Sequence, residues 1–217
     1  QGLWKHILVL QEKGYEILAV PHLGYRLVSL PDKLFPWEIQ HKLNTKVIGK
    51  DIYHYEAVDS TQDIIWELGL KKFAEGTLVV SERQKRGRGR LKRSWASPEG
   101  GIYFSLLLRP SFISLNAISQ ITLLAGLSCI YAIKKTVNIH CSLKWPNDIL
   151  LDNKKVGGIL CEVNAEMDRI NFVVVGIGIN VNTPIENLPK GAGALYLERG
   201  MSLSRIDILK AILQDLE

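Results

Sequence analysis

The stretch RQKRGRGRLKRSW, residues 83–95, limits the folds open to this chain more than any other. Seven of its first eleven residues are Lys or Arg, none is acidic, and Gly87 and Gly89 interrupt the run. A glycine costs about 1 kcal/mol in a helix relative to alanine and permits close backbone approach, so the segment reads as a cationic loop. Its guanidinium and ammonium groups suit phosphate or carboxylate. The plain reading is a solvated basic loop or an arm for nucleic acid, because Lys/Arg-rich runs are weakly specific. The alternation Gly87-Arg88-Gly89-Arg90, with Trp95 just beyond as a flat surface for a base, points instead to a ligand loop. The formal net charge is +5 while residues 83–93 alone carry +7, which leaves −2 for everything else. The positive field is local, whereas a general nucleic-acid binder spreads its charge.

Residues 77–82 and 101–109 read as strands that deliver and receive this loop, and ends pinned by a sheet are how a binding loop is positioned. Before it, residues 52–58 predict a strand, and Asp59-Ser60-Thr61-Gln62-Asp63 opens a helix to residue 68. Ser60 and Asp63 have capping spacing. Most such caps are structural, yet hydroxyls and free N–H groups at a helix N-terminus also hold small polar groups or anions. After the loop, residues 114–135 predict a long core helix with Ile118, Ile121, Leu124, Ala125 and Leu127 on its apolar face. Short strands at 143–145 and 149–151 bracket Pro146-Asn147-Asp148, and longer ones follow at 155–163 and 171–181. Gly157-Gly158 interrupts an apolar run, the mark of a bulge or of a ligand lying on the backbone. A capped amphipathic helix, 204–217, follows.

The 217 residues allow one substantial core and a small second unit. Residues 3–12 predict a helix that Gly14 stops, and residues 16–20 and 24–28 predict strands around the turn Pro21-His22-Leu23-Gly24. That pattern fits the end and wing of a winged helix, or a hairpin decorating the main domain. The expected organisation is a partial winged helix at 1–30, a Pro-bearing linker with a short helix (37–43) at 31–48, and the main domain at 49–217. Cys129, Cys141 and Cys161 are odd in number and widely spaced, which predicts thiols in a reducing cytoplasm. No segment has the roughly 18 uninterrupted apolar residues of a membrane span, and the chain reads as a piece of a longer one.

No GxxxxGK[ST], GxSxG or HExxH occurs, which removes P-loop ATPases and several hydrolase classes. No metal ligands are assigned. What remains is the basic loop, the cap at Ser60-Thr61, and Lys144 in Lys144-Trp145-Pro146-Asn147-Asp148. A lysine between Leu143 and Trp145 is expected to be held rigidly and partly desolvated, as a salt-bridge partner or as an anion ligand.

Asp59-Ser60-Thr61, Gln84 ahead of Gly87-Arg88-Gly89-Arg90 and Trp95, the 144–148 motif and Lys155-Val156-Gly157-Gly158-Ile159 together resemble biotin protein ligase. The order and spacing agree over residues 53–182, and GYEILAVPHLGYRL resembles the wing of members that double as biotin-operon repressors. The resemblance implies an α/β (α+β) fold, a class II synthetase-like catalytic domain whose mixed sheet is flanked by helices. It also implies an SH3-like domain that this sequence stops short of. It further implies a two-step reaction, in which biotin and ATP, with Mg²⁺, give biotinyl-5′-AMP and a lysine of a biotin carboxyl carrier protein then takes the biotinyl group. By likeness, Ser60, Thr61, Gln62 and Gln84 contact the ureido head, and Gly157 and Gly158 belong to the biotin site. Arg88, Gly89 and Arg90 wrap the biotin carboxylate and the adenylate, and Lys144 holds carboxylate and phosphate oxygens. Trp95 covers adenine and Asn180 lies near the phosphate. Arg88, Arg90 and Lys144 are the catalytic candidates. DNA is a partner only through a complete winged helix, a homodimer is left open, and no membrane is implied. The family loop commonly reads GRGRRGR; here Leu91-Lys92 stands for Arg-Gly, and loss of a glycine predicts a stiffer distal half. The competing readings are a lipoate ligase, a DNA-binding regulator, and a plain nucleic-acid binder.

Overall fold

The computed structural model describes residues 2–110, 114, 117–167 and 169–217. They form two compact units, Gln1–Lys33 and Leu34–Glu217.

In the first unit, helix α1 (Gly2–Glu12) precedes the antiparallel pair β1 (Glu16–Val20) and β2 (Gly24–Ser29). Its apolar side chains bury little beyond Ile7 and Tyr15, and every residue of β2 is exposed. Positive φ at His22 and Gly24 closes the hairpin.

The second unit is a seven-stranded mixed sheet with helices on both faces. After α2 (Pro36–Gln40) come β3 (Ile52–Val58), α3 (Thr61–Leu70), β4 (Leu78–Gln84) and β5 (Ile102–Leu108). Then follow α4 (Ile118–Val137), β6 (Ser142–Lys144), β7 (Asp148–Leu151), β8 (Lys154–Glu166), β9 (Arg169–Ile179), α5 (Tyr196–Arg199) and α6 (Arg205–Leu216). The strand order is β3-β4-β5-β9-β8-β7-β6; β3 and β4 run parallel and all other neighbours antiparallel. Strand β4 reaches Gln84, further than expected, because Ala57 and Val58 of β3 pair with Arg83 and Gln84.

Alternation along the strands sorts two cores. One face carries Val80, Phe104, Leu106, Val175 and Ile177, packed with Ala125, Cys129 and Ile133 of α4 and Ile208, Leu209 and Ile212 of α6. The other carries Val79, Leu107, Phe172 and Val174 under Ile65 of α3. Leu124 and Leu127, expected on the inner face of α4, are 61% and 40% exposed, so that face is narrower than its spacing implies. The expected helix at 114–135 is described from Ile118; its residues 115 and 116 lie outside the described residues.

One charged cluster sits within this core. Arg205, at the start of α6, places Nη2 2.9 Å from Glu82 Oε2 with both side chains at most 3% exposed. Glu82 also accepts from Leu34 N at 2.7 Å and lies 3.0 Å from His54 Nε2. Burial alone would push the Glu82 carboxyl up, but His54, Arg205 and the Leu34 N–H outweigh it and hold the carboxyl down at about 2. The cluster ties the chain ahead of β3, the delivery strand β4 and the last helix together beside the base of the basic loop.

Candidate active site

Where α3 ends, the sheet beneath it loses its bulk. Leu107 pairs with Val174, but the next rows toward the loop read Val79, Ser105, Gly176, Leu160 and then Ser81, Tyr103, Gly178, Gly158. Residues opposite one another across a ladder point to the same side, so Ser105, Gly176, Gly178 and Gly158 leave a hollow beyond α3. Its floor is β5, β9 and β8, its inner end is the N-terminus of α3, and its roof is the basic loop with Trp95. The volume is about 410 Å³, within the roughly 300–1,000 Å³ of small-molecule sites.

Two glycines are required by close approach. A Cβ on Gly176 would run into Gln62 Oε1, and one on Gly178 into the Trp95 indole nitrogen. Gly158 also faces Trp95, whereas Gly157 turns to the opposite side, toward the Ile149 side chain, and is not on the cavity wall.

The inner end is a connected set of hydroxyls and amides. Gln84 Oε1 accepts from Thr61 N at 2.8 Å and lies 3.1 Å from Thr61 Oγ1. Thr61 Oγ1 is 2.9 Å from Ser105 Oγ, which donates to Gln62 Oε1 at 2.9 Å, while Gln62 Nε2 donates to Leu160 O at 3.3 Å. Ser60 occupies the N-cap of α3, but its hydroxyl makes no cap hydrogen bond. It is 1% exposed and has no partner among the described residues. A buried hydroxyl left unpaired is costly, so Ser60, the N-cap by position, keeps an open hydrogen-bonding position at the cavity.

The outer end is cationic. The loop is a twisted hairpin in which Trp95 N donates to Gly87 O at 2.8 Å and Gly89 N to Arg93 O at 2.8 Å. Gly87 has no room for a side chain because Trp95 O lies against it, whereas a Cβ on Gly89 would only touch Arg93 O at 3.4 Å. Leu91 and Lys92 both hold left-handed backbone, with φ of 55° and 60°. The Arg-Gly to Leu-Lys change thus puts the Lys92 side chain at a left-handed position where glycine is at ease. Arg88 donates to Glu162 at 3.2 and 2.8 Å and reaches Asp63 at 2.9 Å, and Arg90 reaches Asn147 Oδ1 at 3.4 Å.

The ammonium on the wall is that of Lys155, 2.6 Å from Asp148 Oδ1 and 5.2 Å from the Trp95 ring centroid. Lys144 is not there. It lies on the outermost strand β6, opposite Asp148 of β7 in the ladder, and is exposed, as is its neighbour Trp145. Asn180 is also off the wall: it is buried and its Nδ2 donates to Gly193 O at 2.9 Å. Ser60, Thr61, Gln62, Gln84, Arg88, Gly89, Arg90, Trp95 and Gly158 are brought together on the cavity; Lys144, Gly157 and Asn180 are not. Ser105, Lys155, Gly176 and Gly178 join them unforeseen.

Such a cavity takes a neutral polar group at one end and anions at the other. The three cysteines, all free, supply no nucleophile: burial pushes the Cys141 and Cys161 thiols up to about 11 and Cys129 further.

A sequence profile described as the Biotin/lipoate A/B protein ligase family matches residues 55–180, more than half the chain and the part that builds this cavity. The chain belongs to that family. Over 217 aligned residues it is 43% identical to the bifunctional ligase/repressor BirA of Bacillus spizizenii, covering 98% of this chain and 66% of that protein. The bifunctional ligase/repressor BirA of Escherichia coli is 29% identical over 98% of this chain and 65% of its own length. The chain therefore spans about two thirds of these relatives. Among biotin/lipoate-family structures, the biotin protein ligase of Aquifex aeolicus in complex with biotin and ATP superposes with a TM-score of 0.66. It is 39% identical, with 77% of this chain and 68% of that one covered. The mixed-sheet α/β fold is that of the biotin ligase catalytic domain. No helix among the described residues is long and apolar enough to cross a membrane.

Proposed function

We propose that this chain carries the catalytic domain of a biotin protein ligase, which joins biotin to ATP as biotinyl-5′-AMP and passes the biotinyl group to a lysine of a carrier protein. The observation that carries the reading is the polarity of the cavity, with Thr61 and the unpaired hydroxyl of Ser60 at one end and Arg88, Arg90 and Lys155 at the other. Biotin has the same polarity, a neutral ureido head and a carboxylate tail. The likeness to the Aquifex enzyme, whose structure holds biotin and ATP, supports it.

The chemistry follows from the charges. A carboxylate oxygen attacks the α-phosphorus of ATP and the bond to pyrophosphate breaks, so two anions must approach and more charge develops between them. Fixed cations that neutralise without reacting lower that barrier. Lys155 is the floor-mounted one, oriented by Asp148 and by the face of Trp95. Arg88 and Arg90 come from the roof, and in the free chain Arg88 is neutralised by Asp63 and Glu162. Incoming phosphate and carboxylate oxygens compete for that guanidinium and draw the loop over the adenylate, a mixed anhydride that water would destroy. In the second step the acceptor amine attacks the acyl carbon and AMP leaves.

Mg²⁺ belongs with the nucleotide. Among the described residues no group of three or more His, Cys, Asp or Glu could hold an ion, and Asp148, the carboxylate on the wall, is paired with Lys155. These residues fit an ion that arrives on ATP phosphates, where it would screen the departing pyrophosphate.

Lipoate is the competing substrate within the family. Its dithiolane offers nothing to Ser60 or Thr61, and a site built to hydrogen-bond a group rejects an analogue lacking it by orders of magnitude. The deciding assay is pyrophosphate release with ATP and Mg²⁺: release with biotin and none with lipoate supports the reading, and release with lipoate alone overturns it. The helix and hairpin of residues 2–29 are read as the end of a winged helix, supported by the repressor names of the relatives.

A further inference from the structure

We propose that Ser105, in the middle of β5, is a positioning residue that sets the hydrogen-bonding polarity of the head-group end of the cavity. The inference rests on the biotin reading above and says how that end is made selective.

The two amides bracketing Ser105 have fixed orientations. Gln84 Nε2 donates to Ser97 Oγ at 2.8 Å, and Ser97 Oγ gives its own proton to Trp95 O at 3.2 Å. Gln84 therefore turns its carbonyl to Thr61, where it also accepts the Thr61 N–H. Gln62 gives its Nε2 to Leu160 O, which can only accept, so its carbonyl oxygen faces Ser105. Between these two acceptors stand only the hydroxyls of Thr61 and Ser105, linked at 2.9 Å.

Two hydroxyl protons must serve three short oxygen contacts. Ser105 donates to Gln62, the Thr61 proton goes at these distances to Gln84 Oε1 or to Ser105 Oγ, and Gln84 is served by the Thr61 N–H in either case. In both arrangements the two protons stay inside the network. With its proton held there, Thr61 Oγ1 meets a ligand as an acceptor, while the unpaired Ser60 hydroxyl keeps a proton to donate. That end asks for an N–H beside a carbonyl oxygen, which a cyclic urea presents on adjacent atoms and a dithiolane does not.

Ser105 is fully buried at the inner end of the cavity and acts on the ligand through these neighbours. Its loss leaves the Gln62 carbonyl without a donor, and the amide then swings toward the cavity and competes for the ligand N–H.

The test is Ser105→Ala in the whole chain, with biotin affinity measured by calorimetry, KM for ATP by pyrophosphate release, and the melting transition recorded. Biotin is expected to bind at least tenfold more weakly while KM for ATP stays within twofold. The preference for biotin over biotin methylated on a ureido nitrogen should shrink by a similar factor. A mere softening of the fold would not change that ratio. Ser105→Cys, a weaker donor of similar shape, should fall between native and Ser105→Ala, and it replaces Ser105→Ala if the latter lacks a cooperative melt. Biotin affinity and the methyl ratio both within twofold of native would overturn the positioning role, as would biotin and ATP constants rising together at an unchanged ratio. If the native chain binds no biotin, the biotin reading fails and this inference falls with it. Equal binding by native and Ser105→Ala removes only the inference.

Discussion

Gly176 and Gly178 lie in a strand hydrogen-bonded on both sides, whereas Leu91 and Lys92 hold left-handed backbone in a loop tied at its base through Trp95 N–H and Gly87 O. The floor of the cavity is thus shaped when the sheet folds, and its small residues are fixed by register. The roof is shaped by charge: with no ligand, Arg88 is engaged by Asp63 and Glu162, and ligand oxygens must displace them. Changes to the floor should therefore strike affinity and transition-state charge directly, while changes at the loop tip should act mildly, on order.

The largest expected effect is at Lys155. Lys155→Ala should slow single-turnover adenylate formation about 10²–10³-fold, the scale for removing one charge-stabilising donor. Lys144→Ala should stay within about threefold, because its side chain is exposed on the edge strand. Equal losses at the two lysines would break the assignment of the floor cation.

Next comes the cluster beneath the loop base. Glu82→Gln should cost about 3 kcal/mol in urea unfolding, since Arg205 is left charged and buried. Glu82 is held at about 2, below its ordinary 4.5, so its contribution is complete above that ordinary value and is lost as pH falls through the lower one. The native chain should lose stability over that acid window by an increment that Glu82→Gln lacks; parallel pH profiles would contradict the depressed carboxyl.

Gly178→Ala sharpens the contrast between glycines. Its new methyl meets the Trp95 indole, and biotin affinity should fall about tenfold, or 1.4 kcal/mol. Gly89→Ala, with only an ordinary contact at 3.4 Å, should change it less than about twofold in the same titration. The smallest effect is expected at Lys92→Gly, which relieves left-handed strain of about 1 kcal/mol and should slow protease cleavage of the ligand-free loop. Faster cleavage would mean that chain entropy dominates there.

How much was legible in the sequence divides along the same line. The helix opening at Ser60-Thr61 and the Gly-Arg repeat could be read because each is contiguous, whereas Gln84 and the fold class came from the family resemblance. Ser105, Gly176 and Gly178 were legible only as strand residues, because their meeting depends on the registers of β5, β8 and β9. Lys155 lies three residues from Gly158, which simple alternation assigns to the opposite face. A bulge between β7 and β8 pairs Leu150 with Lys155 and returns it to the cavity side. The apolar neighbours of Lys144 leave a salt bridge and an anion ligand equally open, the resemblance favours the ligand, and the outermost strand leaves the side chain exposed. Gly157 lies one step of alternation off the cavity wall, and Asn180 lies behind it with its Nδ2 donating to Gly193 O. The buried Arg205 gave no sign in a helix whose pattern showed only its apolar face.

Hydrogen exchange with and without biotin and ATP tests the division of floor from roof most directly. Amides of 85–95 should slow by an order of magnitude or more when the adenylate forms, while those of Gly176 and Gly178 are already protected in the free chain. Protection that appears elsewhere and leaves 85–95 unchanged would contradict the site.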